Sequence, residues 1–208
     1  MNIKVCGITQ LKQLQQLEVM DIDFAGLIFY KDSPRYVANK ISAEEIKEAD
    51  FDIKKVGVFV NETFDVIMET VEDYKLDIVQ LHGNETPELC EELSDEIEVI
   101  KAFRVNGNSS IERLIDGYDA VCDYYLFDTA GPKETLGGTG VQFDWTLLNK
   151  SRIEKPFFLS GGIGFEDAPR LKQLKHPDFF AVDLNSKFEA EPGVKDMKLL
   201  LQMKQALK

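Results

Sequence analysis

Histidine is nearly absent from this 208-residue chain, which has only His82 and His176, and cysteine is limited to Cys6, Cys90 and Cys122. An odd cysteine count without paired spacing argues against a disulfide framework or a structural zinc site, so free thiols are expected. Two histidines are too few for a histidine-built metal constellation. No apolar run approaches the ~20 residues needed to span a bilayer. The opening Met1-Asn2-Ile3-Lys4 lacks a signal-peptide layout, which points to the cytoplasm. Positive charge is also scarce, with 24 Lys and Arg against 37 Asp and Glu, a net −13. Nucleic acid and anionic membranes need a basic surface to replace counterions, and both are disfavoured as partners. A small anionic substrate stays open wherever its site is locally positive. A G-x-G-x-x-G fingerprint is missing after the first strand, where Cys6-Gly7-Ile8-Thr9 stands instead.

What the chain does have is the makeup of an ordinary globular protein, 44% hydrophobic and 29% charged, with no linker or low-complexity break, so residues 1–208 read as one domain. Apolar runs alternate with helix-patterned stretches, the signature of a parallel sheet covered by helices. Strands are predicted at Ile3 to Cys6, Asp23 to Phe29, Lys55 to Val60, Ile78 to His82, Val99 to Phe103, Tyr124 to Asp128, Pro156 to Ser160 and Phe179 to Asp183. Helical patterns cover Leu11 to Met20, Ala43 to Ala49, Phe64 to Tyr74, Pro87 to Leu93 and Lys195 to Leu207, while Ser109 to Asp116 is too short to assign. Eight strands with interposed helices predict an α/β fold closed as a (β/α)8 TIM barrel rather than an open doubly wound sheet.

In such a barrel alternate residues point inward, and the last inward residue of each strand faces the active-site mouth. Lys4 and Cys6 then share one face, as do Gln80 with His82 and Leu126 with Asp128, while Asp183 ends the eighth strand. A thiol, an imidazole and two carboxylates would converge at one rim. Each has a structural alternative: Cys6 as a small buried hydrophobe, His82 serving a loop, Asp128 capping a turn, Asp183 pairing with Lys4 inside the barrel.

Strand seven runs into Ser160-Gly161-Gly162-Ile163-Gly164, and strand eight into Asp183-Leu184-Asn185-Ser186. Residues without Cβ let backbone N–H groups approach an anion, and these two loops of a barrel are a frequent phosphate site, so a phosphorylated substrate is implied. Gly137-Gly138-Thr139-Gly140 could be a lid or a third wall of that site, or a plain surface turn. In the loop after strand two, Pro34 fixes the backbone before Arg35, whose guanidinium can hold a carboxylate through two parallel hydrogen bonds or simply be solvated.

Taken in order, Lys4-Val5-Cys6-Gly7-Ile8-Thr9, Lys31-Asp32-Ser33-Pro34-Arg35-Tyr36-Val37, Val56-Gly57-Val58-Phe59-Val60-Asn61, Gln80-Leu81-His82-Gly83, Phe127-Asp128-Thr129, Gly137-Gly138-Thr139-Gly140, Phe143-Asp144-Trp145, Ser160-Gly161-Gly162-Ile163 and Pro192-Gly193-Val194-Lys195-Asp196 resemble phosphoribosylanthranilate isomerase of tryptophan biosynthesis over essentially the whole chain. That family is a (β/α)8 barrel working without metal or organic cofactor. The resemblance implies an Amadori rearrangement of N-(5-phosphoribosyl)anthranilate, with Asp128 as general acid and Cys6 as general base. It also implies Arg35 on the substrate carboxylate, Gly161, Gly162, Asn185 and Ser186 at the phosphate, and supporting roles for His82 and Asp183. For these roles the thiol must ionise readily and the carboxyl must keep its proton, and Lys4 is expected to favour the thiolate. One departure is Lys187, where the family shows glycine, which would be strained at a position of positive φ.

A sister phosphosugar barrel would explain the two phosphate loops but would not call for Cys6 with Asp128. A non-catalytic sugar-phosphate binding module would bind without turnover. Both a monomer and a homodimer fit the sequence.

Overall fold

The computed structural model of the chain describes residues 1–106, 109–129 and 142–208. The Gly137-Gly140 motif lies outside the described residues. Eight parallel strands, β1 (Asn2–Cys6), β2 (Phe24–Ile28), β3 (Lys54–Phe59), β4 (Ile78–Leu81), β5 (Glu98–Val105), β6 (Tyr124–Thr129), β7 (Phe157–Leu159) and β8 (Phe179–Leu184), close into a barrel in sequence order. All eight predicted strands are present. Around them lie α1 (Leu11–Val19), α2 (Ala43–Ala49), α3 (Phe64–Tyr74), α4 (Pro87–Ser94), α5 (Ile111–Ile115), α6 (Thr146–Lys150), α7 (Ala168–Leu171) and α8 (Met197–Leu207). The connection left unassigned thus forms α5, a five-residue helix. Lys195 belongs to a two-residue strand, β10 (Val194–Lys195), which pairs with β9 (Glu189–Glu191) ahead of the final helix.

Period two sorts the strand residues into two cores. Phe24, Val56, Ile78, Ile100, Ala102, Leu126, Phe158 and Ala181 fill the barrel interior, floored by Tyr124 and Phe180. The other parity, including Val5, Leu27, Val79, Val99, Phe127, Leu159 and Val182, packs outward against helix residues such as Leu14, Leu17, Ile67, Leu93, Leu200 and Met203. The floor is aromatic, with Phe24 and Phe158 rings edge-on at 5.5 Å and Phe158 and Phe180 likewise at 5.5 Å. Packing of this kind leaves no channel, so chemistry is confined to the rim.

A repeated carboxylate device aligns the strand starts. Asp23, just before β2, accepts the backbone N–H of Ile3 on β1 at 2.8 Å; Asp77, before β4, accepts that of Lys55 on β3 at 2.7 Å; Asp123, before β6, accepts that of Val99 on β5 at 2.8 Å. Each terminal amide that has no ladder partner is thereby satisfied by a charged acceptor. Caps set the helices on the outside: Ser42 and Glu45 form a reciprocal capping box at α2, and Asp196 accepts from Leu199 N at α8. Among the described residues no helix is long and apolar enough to cross a membrane.

Candidate active site

At the carboxyl ends of the strands lies a cavity of about 460 Å³ lined by Cys6, Arg35, His82, Asp128, Gly161, Gly162, Asp183, Asn185 and Ser186. Every residue singled out from the sequence as catalytic or substrate-binding therefore meets at one mouth. Ile28, Val58 and Val60 supply an apolar wall, and Tyr30, Asp32, Ser33, Gln80 and Ser160 add to the polar lining.

Cys6 ends β1 in register with Gly26 of β2. A Cβ on Gly26 would stand 2.7 Å from Cys6 Sγ and 2.9 Å from Cys6 Cα, so only glycine lets the thiol occupy this corner. Two residues earlier, Lys4 pairs in register with Asp183 of β8, and its Nζ donates to Asp183 Oδ1 at 2.9 Å. The pair is buried, with side chains 0% and 5% exposed. Ser160 Oγ donates to the other carboxylate oxygen at 3.2 Å. The interior ion pair considered for Asp183 is thus present, at the cavity floor.

Burial outweighs the positive charge that the sequence places beside Cys6. Burial pushes the thiol up from its ordinary value; Lys4 and Lys195 pull it down, while Asp183 adds to the upward push. The net is upward, so the expectation of a readily ionised thiol is corrected. Lys4 does favour the thiolate, but its charge is shared with a carboxylate 2.9 Å away. For Lys4 burial works against the charged form, and Asp183 and Cys6 more than offset it, so its ammonium titrates above the ordinary range.

Lining the same cavity, at the ends of β4 and β6, is a chain of three polar side chains. Gln80 Nε2 lies 2.7 Å from His82 Nδ1, and His82 Nε2 lies 3.2 Å from Asp128 Oδ2. Asp128 is 7% exposed and Gln80 1%.

Arg35 is carried by a turn in which Ser33 Oγ accepts its backbone N–H at 3.1 Å and Ser33 O accepts Tyr36 N at 3.0 Å; Val37 N then returns to Ile28 O at 2.9 Å. Its Nε and Nη2 donate to the Glu189 carboxylate, the shortest contact being 2.6 Å. One edge of the guanidinium is therefore taken, and a substrate carboxylate would meet the end formed by Nη1 and the second hydrogen of Nη2. Glu189 also accepts Lys195 Nζ at 2.7 Å, and Lys195 Nζ donates to Asn185 Oδ1 at 2.8 Å. Burial pushes the Glu189 carboxyl up, but Arg35 and Lys195 hold it below the usual range; Lys195 is pushed down by burial despite Glu189. With Oδ1 committed to Lys195, the amide N–H groups of Asn185 are those left to donate. Glu189 and Lys195 escaped the sequence reading as site residues, although Lys195 sits within the Pro192-Gly193-Val194-Lys195-Asp196 motif.

The glycine loop after β7 holds Gly161 at φ +97° and Gly162 at φ +65°, both left-handed. A Cβ on Gly161 would come within 2.6 Å of Thr129 N, so the loop lies directly on the end of β6. Gln142 Nε2 donates to Gly162 O at 3.1 Å and to Asp167 Oδ2 at 2.6 Å, and Gly164 N donates to the same Asp167 oxygen at 2.8 Å. After β8, Ser186–Phe188 forms a single 3-10 turn. The non-glycine residues with positive φ among those described are Asp21, Asp50, Asn61 and Lys75, so Lys187 stands in the turn without the strain its place suggested.

A family model described as N-(5'phosphoribosyl)anthranilate (PRA) isomerase matches residues 3–206. An N-(5'-phosphoribosyl)anthranilate isomerase of Parabacteroides distasonis is 42% identical over 202 residues, 96% of this chain and 90% of that protein. Among solved structures, phosphoribosyl anthranilate isomerase of Thermotoga maritima superposes with a TM-score of 0.85 at 32% identity, covering 99% of this chain and 98% of that one. A structure of such an isomerase in complex with reduced 1-(o-carboxyphenylamino)-1-deoxyribulose 5-phosphate gives 0.80 at 32% identity, covering 99% and 97%. Sequence match across nearly the full length and superposition of the whole barrel agree, and the chain belongs to the N-(5'-phosphoribosyl)anthranilate isomerase family.

Proposed function

We propose that this protein isomerises N-(5'-phosphoribosyl)anthranilate to 1-(2-carboxyphenylamino)-1-deoxyribulose 5-phosphate by an Amadori rearrangement, as a step of tryptophan biosynthesis in the cytoplasm, with residues 1–208 as one catalytic domain. Asp128 donates a proton to the furanose ring oxygen; the bond from that oxygen to C1 breaks, and C1 becomes an iminium. Cys6, as thiolate, removes the proton on C2, and the enolamine formed tautomerises to the ketone. Acid and base act on adjacent parts of one sugar, which requires them at one mouth although they are remote in sequence.

The observation that carries this reading is the shared cavity: Cys6, Asp128, Arg35 and the Gly161-Gly162 loop line it together. Arg35 takes the anthranilate carboxylate on its free end. Backbone N–H groups of Gly161 and Gly162, the Asn185 amide and the Ser186 hydroxyl take the phosphate, with Lys195 behind Asn185 adding positive charge. His82 supports Asp128, and Asp183 holds Lys4 beside the base.

Anthranilate fluorescence reports the reaction, since the emission of the substrate is lost on conversion. A decay accelerated by the protein is expected, and a trace indifferent to it removes the assignment. Cys6→Ser and Asp128→Asn should each lower kcat by about 10²-fold or more, the usual contribution of a positioned acid or base, with far smaller effects on affinity.

A further inference from the structure

Gln80 sits on the inner face of β4, 1% exposed, between register partners Val58 on β3 and Ile100 on β5 that offer it nothing polar. Its Nε2 lies 2.7 Å from His82 Nδ1, while its Oε1 is buried without a hydrogen-bond partner. The other imidazole nitrogen, Nε2, is 3.2 Å from Asp128 Oδ2. A neutral imidazole carries a single N–H, so these three groups cannot choose their hydrogens independently.

With the amide N–H turned to Nδ1, that nitrogen accepts, the ring hydrogen sits on Nε2, and Nε2–H donates to an ionised Asp128. A half-turn of the carboxamide brings Oε1 to Nδ1 instead. The ring hydrogen then sits on Nδ1, and the Nε2 lone pair accepts the O–H of a protonated Asp128. The two arrangements differ by one proton, held on Asp128 Oδ2, and the imidazole keeps one hydrogen in both. A carboxamide is nearly symmetric in shape, and the end turned away from His82 has no partner to lose, so the exchange gives up no hydrogen bond overall.

We propose that Gln80 is a positioning residue whose carboxamide, through the tautomer of His82, accommodates both the charged and the proton-bearing forms of Asp128. This rests on the reading of Asp128 as the acid, a group that must release its proton in each turnover and recover it. A side chain able only to accept at Nδ1 would serve the protonated form alone.

Imidazole ¹⁵N chemical shifts test the linkage without turnover, and with two histidines in the chain, His176→Gln leaves His82 as the single signal. The hydrogen is expected on Nε2 at high pH and on Nδ1 as Asp128 takes up its proton, a change distinct from imidazolium formation, which protonates both nitrogens. In Gln80→Glu the hydrogen should stay on Nδ1 throughout, and in Asp128→Asn the exchange should vanish. The other ionisable groups around Asp128 are Arg104, its register partner on β5, and Cys6, Asp183, Arg35, Tyr30 and Asp32 in the same cavity. All remain in these variants, so a shift confined to Gln80→Glu belongs to the amide. Gln80→Leu and Gln80→Glu should each lower kcat about 10-fold, part of what a general acid supplies, with KM little changed. A ring hydrogen that stays on Nε2 in the unaltered chain until both nitrogens are protonated, with no stage at which Nδ1 alone carries it, or an unchanged kcat in both variants, overturns the proposal. A chain that shows the tautomer exchange yet leaves the fluorescent substrate intact would instead refute the isomerase reading, so the two failures are distinguishable.

Discussion

Lys4 Nζ lies 2.9 Å from Asp183 Oδ1 across the seam where the first strand meets the last, and both side chains are buried beneath the cavity. Removing one member leaves a buried charge without its counter-charge. Lys4→Met should therefore destabilise the barrel by about 3–5 kcal/mol in denaturant unfolding, and Lys4→Met with Asp183→Leu should recover a good part of that loss. A double variant no more stable than the single one would show that the pair does not act as a unit.

Since burial holds the Cys6 thiol above its ordinary range, the proton-abstracting form grows as pH rises. We expect the thiolate fraction of the ligand-free protein to climb through the alkaline range with a midpoint above the ~8.5 of a free thiol, while kcat/KM, which also needs Asp128 to carry its proton, falls there. Lys4 favours the thiolate, so Lys4→Met should move that midpoint to higher pH. Alkylation at Cys6 in the ligand-free protein, read by peptide mapping to separate it from Cys90 and Cys122, which burial pushes up to about 11 and about 12, should track the same titration. A pH profile indifferent to Lys4→Met would reduce Lys4 to a structural role.

Gly26→Ala places a methyl 2.7 Å from Cys6 Sγ, closer than atoms can approach. The thiol must shift, and a displacement near 1 Å at a reacting group costs about 10²-fold in rate. Turnover should fall by that order while the far-ultraviolet circular dichroism of the barrel is retained. Unchanged kcat would mean that the thiol position is not critical.

Arg35 uses one edge on Glu189 and would use its end on the substrate, a geometry that an ammonium cannot copy. Arg35→Lys should raise KM by about 10-fold with a smaller change in kcat, the pattern of lost ground-state binding. A kcat effect exceeding the KM effect would assign Arg35 to the chemical step.

Away from the cavity, Glu85 accepts Lys101 Nζ at 2.8 Å and the backbone N–H groups of Asn61 and Gly83 at 2.9 Å. Burial pushes its carboxyl up, but Lys101 and the Asn61 backbone N–H help hold it below the usual carboxylate range. A depressed folded value means that this contribution to stability is complete above the ordinary carboxylate pKa and is lost as pH falls through the depressed one. Glu85→Gln should weaken the fold at neutral pH and flatten the acid limb of the stability curve. Equal acid slopes would show that other carboxylates control acid unfolding.

Much of the barrel was legible because each strand is a compact run of Val, Ile, Leu and Phe whose alternate residues serve two cores, a pattern that survives without knowledge of neighbours. Helix α5 was not, since five residues give too little periodicity to register, and the β9–β10 hairpin was not, since Glu189-Ala190-Glu191 reads as a polar loop. At the site, strand-end position was enough to gather Cys6, His82, Asp128 and Asp183. The partners of those groups were less accessible. Glu189 finds Arg35 across 154 positions, and the upward push on Cys6 comes from burial and from Asp183, both consequences of closure rather than of local pattern.

The seam also has a meaning in time. Lys4 and Asp183 leave the ribosome 179 positions apart, which at about 5–20 residues per second is a wait of roughly 9–36 s for the first strand. Throughout that interval the edge of the first strand that will meet β8 has no partner, so its backbone N–H and C=O groups stay open to other chains until the last strand closes the barrel.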